Sequence, residues 1–375
     1  MMLGMAYLGG STTLGGDRRI AGLDLMRGLA VLLVLLCHSF PQVVGGGGVV
    51  GVVMFFALSG YLITALLDRD LRTHGRVRYG HFYRNRALRL LPALLLFLAI
   101  FTIITLAWDP AGERDRIGQM LAVSLTYTNN LPVIHQMGSV AHLWTLATEE
   151  QFYLLWPLLL TLGIAKRGRI WLIIGVAAVA LYAVAAVSVW WAAPRGAYAT
   201  IYVWPSSWAV AMLIGASGYL ARERIARWLP APGTNGGRSI AAAALALCVA
   251  ASFWPALDKT GFGQLLVGPV VAALSVVIIR HLMTWKTLPT VALRPLLALG
   301  TISYAAYLWN YGIVVWLGGN QPENYDLTAM IVAFVLTIIA AVVSWFVVEA
   351  PAARWRKRLD ARRRTDQGTR ATATV

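Results

Sequence analysis

Leu23–His38, LDLMRGLAVLLVLLCH, sets two ionisable side chains, Arg27 and His38, in an apolar stretch that with its flanks is long enough to cross a bilayer. Such groups are expensive in hydrocarbon, which marks them as functional candidates. Eleven positions at about 100° each make three turns and roughly 20° more, so both side chains share one helix face, about 16 Å apart along the axis. One face can then address both ends of a long substrate. The competing reading is an arginine snorkelling near the helix start and a histidine packed between helices.

The whole chain agrees with a membrane setting. Its 375 residues are 58% hydrophobic and only 13% charged, with mean hydropathy +0.66, whereas soluble domains carry about 25% charged residues. The expected fold is all-α, a polytopic membrane protein with about ten transmembrane helices, near 22–41, 49–67, 90–108, 143–165, 170–193, 201–220, 239–256, 264–283, 296–317 and 327–348. A net charge of +16 would point to nucleic acid in a soluble protein. Here the positive-inside rule accounts for it. With the N-terminus inside, 27 basic residues fall in inner segments against four outside, with Arg27 in the first span. The expectation is a multi-pass protein of the cell inner (plasma) membrane, both termini cytoplasmic, with no nucleic-acid partner. Residues 1–20 form a short cytoplasmic leader without the charged start or cleavage site of a signal peptide. Residues 21–351 form the membrane domain, and 352–375 a basic, disordered cytoplasmic tail of the kind that rests on anionic lipid. Cys37 and Cys248 both fall in spans and offer neither a disulfide framework nor a metal-ligand spacing, so no metal site is expected.

Polar groups recur inside the spans. The second carries MFFALSGYLITALL (Met54–Leu67), with Ser59 and Gly60 near its middle. This small pair either packs helices closely or clears room for a narrow substrate chain, with the Ser59 hydroxyl as donor. Before the third span, Arg86 and Arg89 lie three apart on one face. Backed by Arg84 and Arg78, they form a fork suited to phosphate oxygens, although a stop-transfer cluster on lipid phosphates would carry the same charge. The outer segment 109–142 holds a partly apolar stretch, 117–131, too short to span. It leads into HLWTLATEEQFYLLWPLLL (His142–Leu160), where Glu149 and Glu150 enter the membrane beside His142. Adjacent carboxylates there cannot both face lipid; at least one turns inward, for acid-base work or to pair with a buried arginine. Pro157 should loosen this helix. The ninth span brings in Ser303, Tyr304, Tyr307, Trp309 and Asn310; Tyr304 and Tyr307, three apart on one face, either line a polar cavity or form an interhelical hydrogen-bond layer. Glu349, followed by Pro351, reads as a structural interfacial stop.

Together these residues resemble the acyltransferase 3 family of integral membrane acyltransferases. The resemblance rests on Leu23–His38, FFALSGYLI (Phe55–Ile63), FYRNRALRLLPA (Phe82–Ala93), HLWTLATEEQFYLLWP (His142–Pro157) and ISYAAYLWN (Ile302–Asn310), in family order across about residues 20 to 351. It implies an enzyme that moves an acyl group, commonly acetyl, from acyl-CoA to a hydroxyl, with no permanently bound cofactor. Arg27 and His38 match the family's first-helix pair, His38 being the central catalytic candidate. Arg86 and Arg89 match the arginines implicated in holding acyl-CoA, with Arg84 expected to assist. Glu149 and Glu150 match the acidic pair, and Ser59 and Gly60 the small pair of the second helix. One departure stands out: many members have a histidine after the ninth-helix tryptophan, where this chain has Asn310, so a proton-transfer role does not carry over to that position.

The expected mechanism docks the acyl-CoA phosphates on Arg86 and Arg89 at the cytoplasmic side, with Arg84 and Arg27 assisting, and threads pantetheine between the first three helices. His38 meets the thioester in the outer half of the membrane as general base or acylated intermediate. Glu149 or Glu150 orients it and stabilises its imidazolium. The acceptor is a polysaccharide, a glycolipid or a glycosylated secondary metabolite such as a macrolide; 28 arginines against four lysines fit a GC-rich genome and bring antibiotic modification into scope. The chain ends about 27 residues after its last expected helix, too few for a folded domain, so transfer is expected to finish in the membrane unit or on a separate partner. Two other classes fit the residues: a polytopic transporter with an intramembrane Arg/His/Glu proton relay, and a non-catalytic partner that binds a lipid-linked glycan.

Overall fold

The computed structural model describes residues 20–132, 138–165, 169–318 and 326–359. The expected leader, up to residue 19, and the tail beyond 359 lie outside them. Among the described residues the regular elements are helical: α1 (Ala21–Ser39), α2 (Gly47–His74), α3 (Tyr79–Ala107), α4 (Ile117–Leu125), α5 (Trp144–Ala165), α6 (Ile170–Ala192), α7 (Tyr198–Tyr202), α8 (Pro205–Leu220), α9 (Arg222–Trp228), α10 (Asn235–Ser252), α11 (Gly268–Leu282), α12 (Arg294–Thr301), α13 (Ser303–Gly318) and α14 (Leu327–Ser344). This is an all-α, multi-pass membrane fold.

Each of the ten expected apolar segments coincides with a helix, but only some are spans by length and apolarity. Seven helices qualify among the described residues, or eight when α12 and α13, bent by 69° at their junction, count as one. The two left over are α5, which carries Glu149, Glu150 and Gln151, and α10, which opens on Asn235-Gly-Gly-Arg. Polar residues dilute both below the hydropathy of a simple span, so "about ten" is an approximate count.

Two boundaries depart from expectation. Helix α3 begins at Tyr79, so Arg84, Arg86 and Arg89 stand on a helix, not in the loop before it. The loop is short because α2 ends at Gly75, whose left-handed backbone (φ 67°) closes the helix. At the other end, Pro351 does not stop α14. A wide π turn over Trp345–Glu349 precedes it, and the helix then runs to residue 359. Such a turn accommodates a residue without a backbone N–H. The first eight residues of the supposedly disordered tail are therefore helical.

Helices α1 and α2 form the buried centre, while α6 and α14 present apolar side chains such as Val176, Val179, Val335 and Ile339 outward. Glycines set the closest crossings. A Cβ on Gly60 would strike the Met212 carbonyl of α8, and one on Gly215 the Ala57 carbonyl of α2. Likewise a Cβ on Gly28 would strike Leu296 of α12, and one on Gly300 the Asp24 carbonyl of α1. Without a hydrophobic drive between helices in lipid, such backbone proximity supplies the packing.

The segment between α3 and α5 is tied across its own ends. Asp109 accepts from the Glu113 backbone N–H at 2.6 Å, and the buried Glu113 carboxylate accepts from the Ser139 N–H at 2.7 Å. Burial raises the Glu113 pKa above the usual carboxylate value, against the lowering effect of its bonds to Ser139.

Two outcomes follow. Gly28→Leu should force α1 from α12 and lower stability by about 1–3 kcal/mol or more, read as a lower Tm and yield of monodisperse protein in detergent. Because native Glu113 holds its proton more tightly than the unfolded chain does, its contribution to stability declines as pH rises from the ordinary carboxylate range through its raised pKa. Glu113→Gln should flatten that decline in a Tm-against-pH series.

Candidate active site

A cavity of about 200 Å3 lies between α1, α2, α3, α5 and α13. Its wall holds Arg27 from α1, Ser59 from α2, Arg86 and Arg89 from α3, Thr145, Glu149 and Tyr153 from α5, and Ser303, Tyr304 and Tyr307 from α13. Apolar Val52, Phe55, Phe56, Leu62 and Leu146 fill the spaces between them. The walls are thus the segments singled out from sequence, brought together because α1 and α2 sit centrally with α3, α5 and α13 around them.

The charged groups are interlocked. Arg86 Nε donates to Glu150 Oε1 at 2.8 Å, and an Arg86 amine lies 4.0 Å from Glu149. The guanidinium also sits over the Tyr153 ring, 3.2 Å from its centroid. Glu149 Oε1 accepts from the Ser59 hydroxyl at 2.7 Å. Arg27 lies 3.5 Å from the buried Asp24 one turn earlier on α1. The structure thus pairs Glu150 with a buried arginine, and the Ser59 hydroxyl donates to Glu149 within the protein.

Three expected assignments change. Gly60 packs against α8 instead of lining the cavity, since the next position on α2 faces elsewhere from Ser59. Arg84 bonds Asn85 Oδ1 at 3.1 and 3.3 Å and is absent from the wall; two positions before Arg86, it points about 200° round the helix from it, away from the face that Arg86 and Arg89 share. Glu149 and Glu150 do not orient His38. Their partners are Ser59 and Arg86, whereas the His38 Nδ1–H donates to Asn310 Oδ1 at 2.7 Å. Asn310 Nδ2 in turn donates to Thr337 of α14 at 3.3 Å, which fixes its amide orientation. The departure at position 310 therefore supplies a hydrogen-bond acceptor that holds Nδ1 protonated and leaves Nε2 with the lone pair.

His38 stands beyond the cavity wall, partly exposed. Its ring meets Tyr311 edge-on at 5.0 Å, and Tyr311 contacts the His142 ring at 5.5 Å. His142 Nε2 donates to the Leu308 carbonyl at 3.0 Å, fixing the ring. The cavity reaches this cluster at Thr145 and Tyr307: Thr145 donates to the Tyr307 hydroxyl and Tyr307 donates to the His142 carbonyl, each at 2.7 Å. Tyr304 likewise donates to the Leu90 carbonyl at 3.0 Å. Both readings of the tyrosine face hold, because the same hydroxyls line the cavity and join helices. Glu349, expected to be a structural stop, lines a smaller adjoining chamber with Arg27 and Arg89.

The acyltransferase 3 family model, described as an acyltransferase domain, matches residues 20–349. The chain belongs to this family. A Bacillus subtilis protein named "Putative peptidoglycan O-acetyltransferase YrhL" is 30% identical over 366 residues, covering 89% of this chain and 55% of that protein. The O-acetyltransferase OatA of Staphylococcus aureus is 36% identical over 152 residues, 38% of this chain and 25% of OatA. The chain thus spans about half or less of the length of these relatives. No solved structure matches it.

The interlock can be measured. Arg86→Ala leaves Glu150 in the membrane interior without its cation and should destabilise by about 3–5 kcal/mol, whereas Arg86→Ala with Glu150→Ala should recover much of that loss. Thermal unfolding of the four members of the cycle in detergent gives the coupling.

Proposed function

We propose that this protein is a membrane O-acetyltransferase that carries acetyl from acetyl-CoA to a hydroxyl of a cell-wall glycan. The observation that carries the reading is the polarity of the site along α1. Arg27 and Arg89 stand at the end of the cavity nearest the basic loops, while His38, held by Asn310, stands partly exposed three turns further on. Cytoplasmic basic loops would then admit an anionic donor on one side of the inner membrane and an acceptor hydroxyl on the other.

In this scheme His38 Nε2 accepts the proton of the acceptor hydroxyl as its oxygen attacks the thioester carbon. The C–S bond breaks, and the imidazolium returns the proton to the CoA thiolate. Asn310 keeps the ring in the productive tautomer. Thr145 and Tyr307 close the cavity beside this reaction zone, and a shift of the Tyr307–Tyr311 face would open the way from the cavity to His38. A glycan acceptor is favoured over a macrolide because the B. subtilis relative's name refers to peptidoglycan.

The test uses protein in proteoliposomes with acetyl-labelled acetyl-CoA and pooled muropeptide, polysaccharide and macrolide acceptors. His38→Ala should lower labelled product by about 10²- to 10⁴-fold with donor binding retained. Asn310→Ala should lower kcat with KM for acetyl-CoA little changed. Proton-coupled flux without acetyl transfer would replace this reading with the transporter, and exclusive labelling of a macrolide would replace the glycan acceptor.

A further inference from the structure

The main cavity differs between its two ends. Helices α1 and α2 run antiparallel, since a Cβ on Gly47 would meet the Leu33 carbonyl and one on Gly51 the Ala30 carbonyl. Val52 therefore marks the end of the cavity toward His38, and Leu66 the end toward the basic loops, about 21 Å away by helix rise. At the Val52 end the wall has two corners. One is apolar, made by Val52 and Phe56 of α2 with Leu146 of α5; the other carries the hydroxyls of Thr145 on α5 and Tyr307 on α13.

The apolar corner is rigidly backed. Phe56, only 1% exposed, is met edge-on by Trp144 at 6.1 Å between ring centroids, Trp144 by Tyr202 at 5.2 Å, and Tyr202 by Trp208 at 5.3 Å. Trp208 closes the row, its indole N–H donating to the Tyr202 carbonyl at 2.6 Å. The backbone of α2 is pinned at the same level, because the Ala57 carbonyl stands where a Cβ on Gly215 would sit and the Met212 carbonyl where one on Gly60 would. Val52 and Leu146 are buried too. In an interior packed this closely a change of one methylene is felt.

We propose that Val52, Phe56 and Leu146 are the seat of the donor's acyl group and that the Phe56 ring limits its length, admitting acetyl and excluding longer straight chains. This rests on the acyl-CoA reading above, which brings the thioester to this end of the cavity. The thioester lies against the Thr145–Tyr307 corner, through which the way to His38 leads, and the acyl methyl turns aside toward α2. A longer chain runs into Phe56 and the three rings behind it, and is accommodated only by drawing the thioester back from Tyr307. Phe56 thus sets which donor is used and takes no part in proton transfer.

The deciding comparison is kcat/KM for acetyl-, butyryl- and hexanoyl-CoA in proteoliposomes, in wild type, Phe56→Ala and Val52→Ala. One methylene in a hydrophobic pocket is worth about 10- to 200-fold, so wild type should prefer acetyl over butyryl by about tenfold or more. Phe56→Ala should raise the butyryl-to-acetyl ratio by about tenfold or more. Val52→Ala, the milder change should the Phe56 variant not fold, should raise it in the same direction. A wild type that uses the three donors alike, or variants that lower all three by one factor, would overturn the seat. If no donor is turned over, thermal protection of detergent-purified protein separates the claims. Protection by acetyl-CoA and not by hexanoyl-CoA in wild type, and by both in Phe56→Ala, keeps the seat while the transfer reading fails; equal protection by both in wild type, or protection by neither, overturns the seat as well.

Discussion

The pairing of Arg86 with Glu150 is the contact on which the rest of the site depends. An unpaired ion in the interior of a membrane protein is so unfavourable that α3 and α5 must meet with these two side chains in register. Once they do, Glu149 is turned toward Ser59 of α2, Tyr153 is laid under the guanidinium, and the cavity between the helices acquires its polar wall. The same constraint orders the neighbouring charges: Arg27 sits by Asp24 within its own helix, and Glu349 is brought into the chamber that Arg27 and Arg89 border.

Around that contact the bundle divides its work along the α1 axis. At the end with the basic loops, Arg27 of α1 and Arg89 of α3 border two adjoining spaces. Three turns away, neutral hydrogen bonds replace ion pairs: His38 with Asn310, Asn310 with Thr337, Tyr307 with the backbone of His142. Close glycine crossings, Gly28 with Gly300 and Gly60 with Gly215, hold the two ends in fixed relation.

Much of this was legible in the residues themselves. Hydropathy and the bias of basic residues marked the helical segments because a bilayer imposes length and apolarity on any span. The shared face of Arg27 and His38, and of Arg86 and Arg89, followed from helical period alone, and the adjacent glutamates announced themselves as groups that lipid could not receive. What period could not tell was which partner each group would find. The expected partner of Glu149 and Glu150 is His38, yet the histidine meets the middle of α13, where Asn310 reaches it. Gly60 was grouped with Ser59 by adjacency, although neighbouring positions on a helix point about 100° apart.

The amino-acid sequence by itself determined that this is an all-α membrane protein and which side chains must turn inward, because those follow from the energetics of single helices in hydrocarbon. Only the tertiary structure decided the pairings across helices: Arg86 with Glu150, His38 with Asn310, and Glu349 with the arginine chamber in place of a helix stop. Those depend on crossing angles, on the 69° bend between α12 and α13 and on the π turn before Pro351, which arise from packing among distant segments and leave no period in the chain.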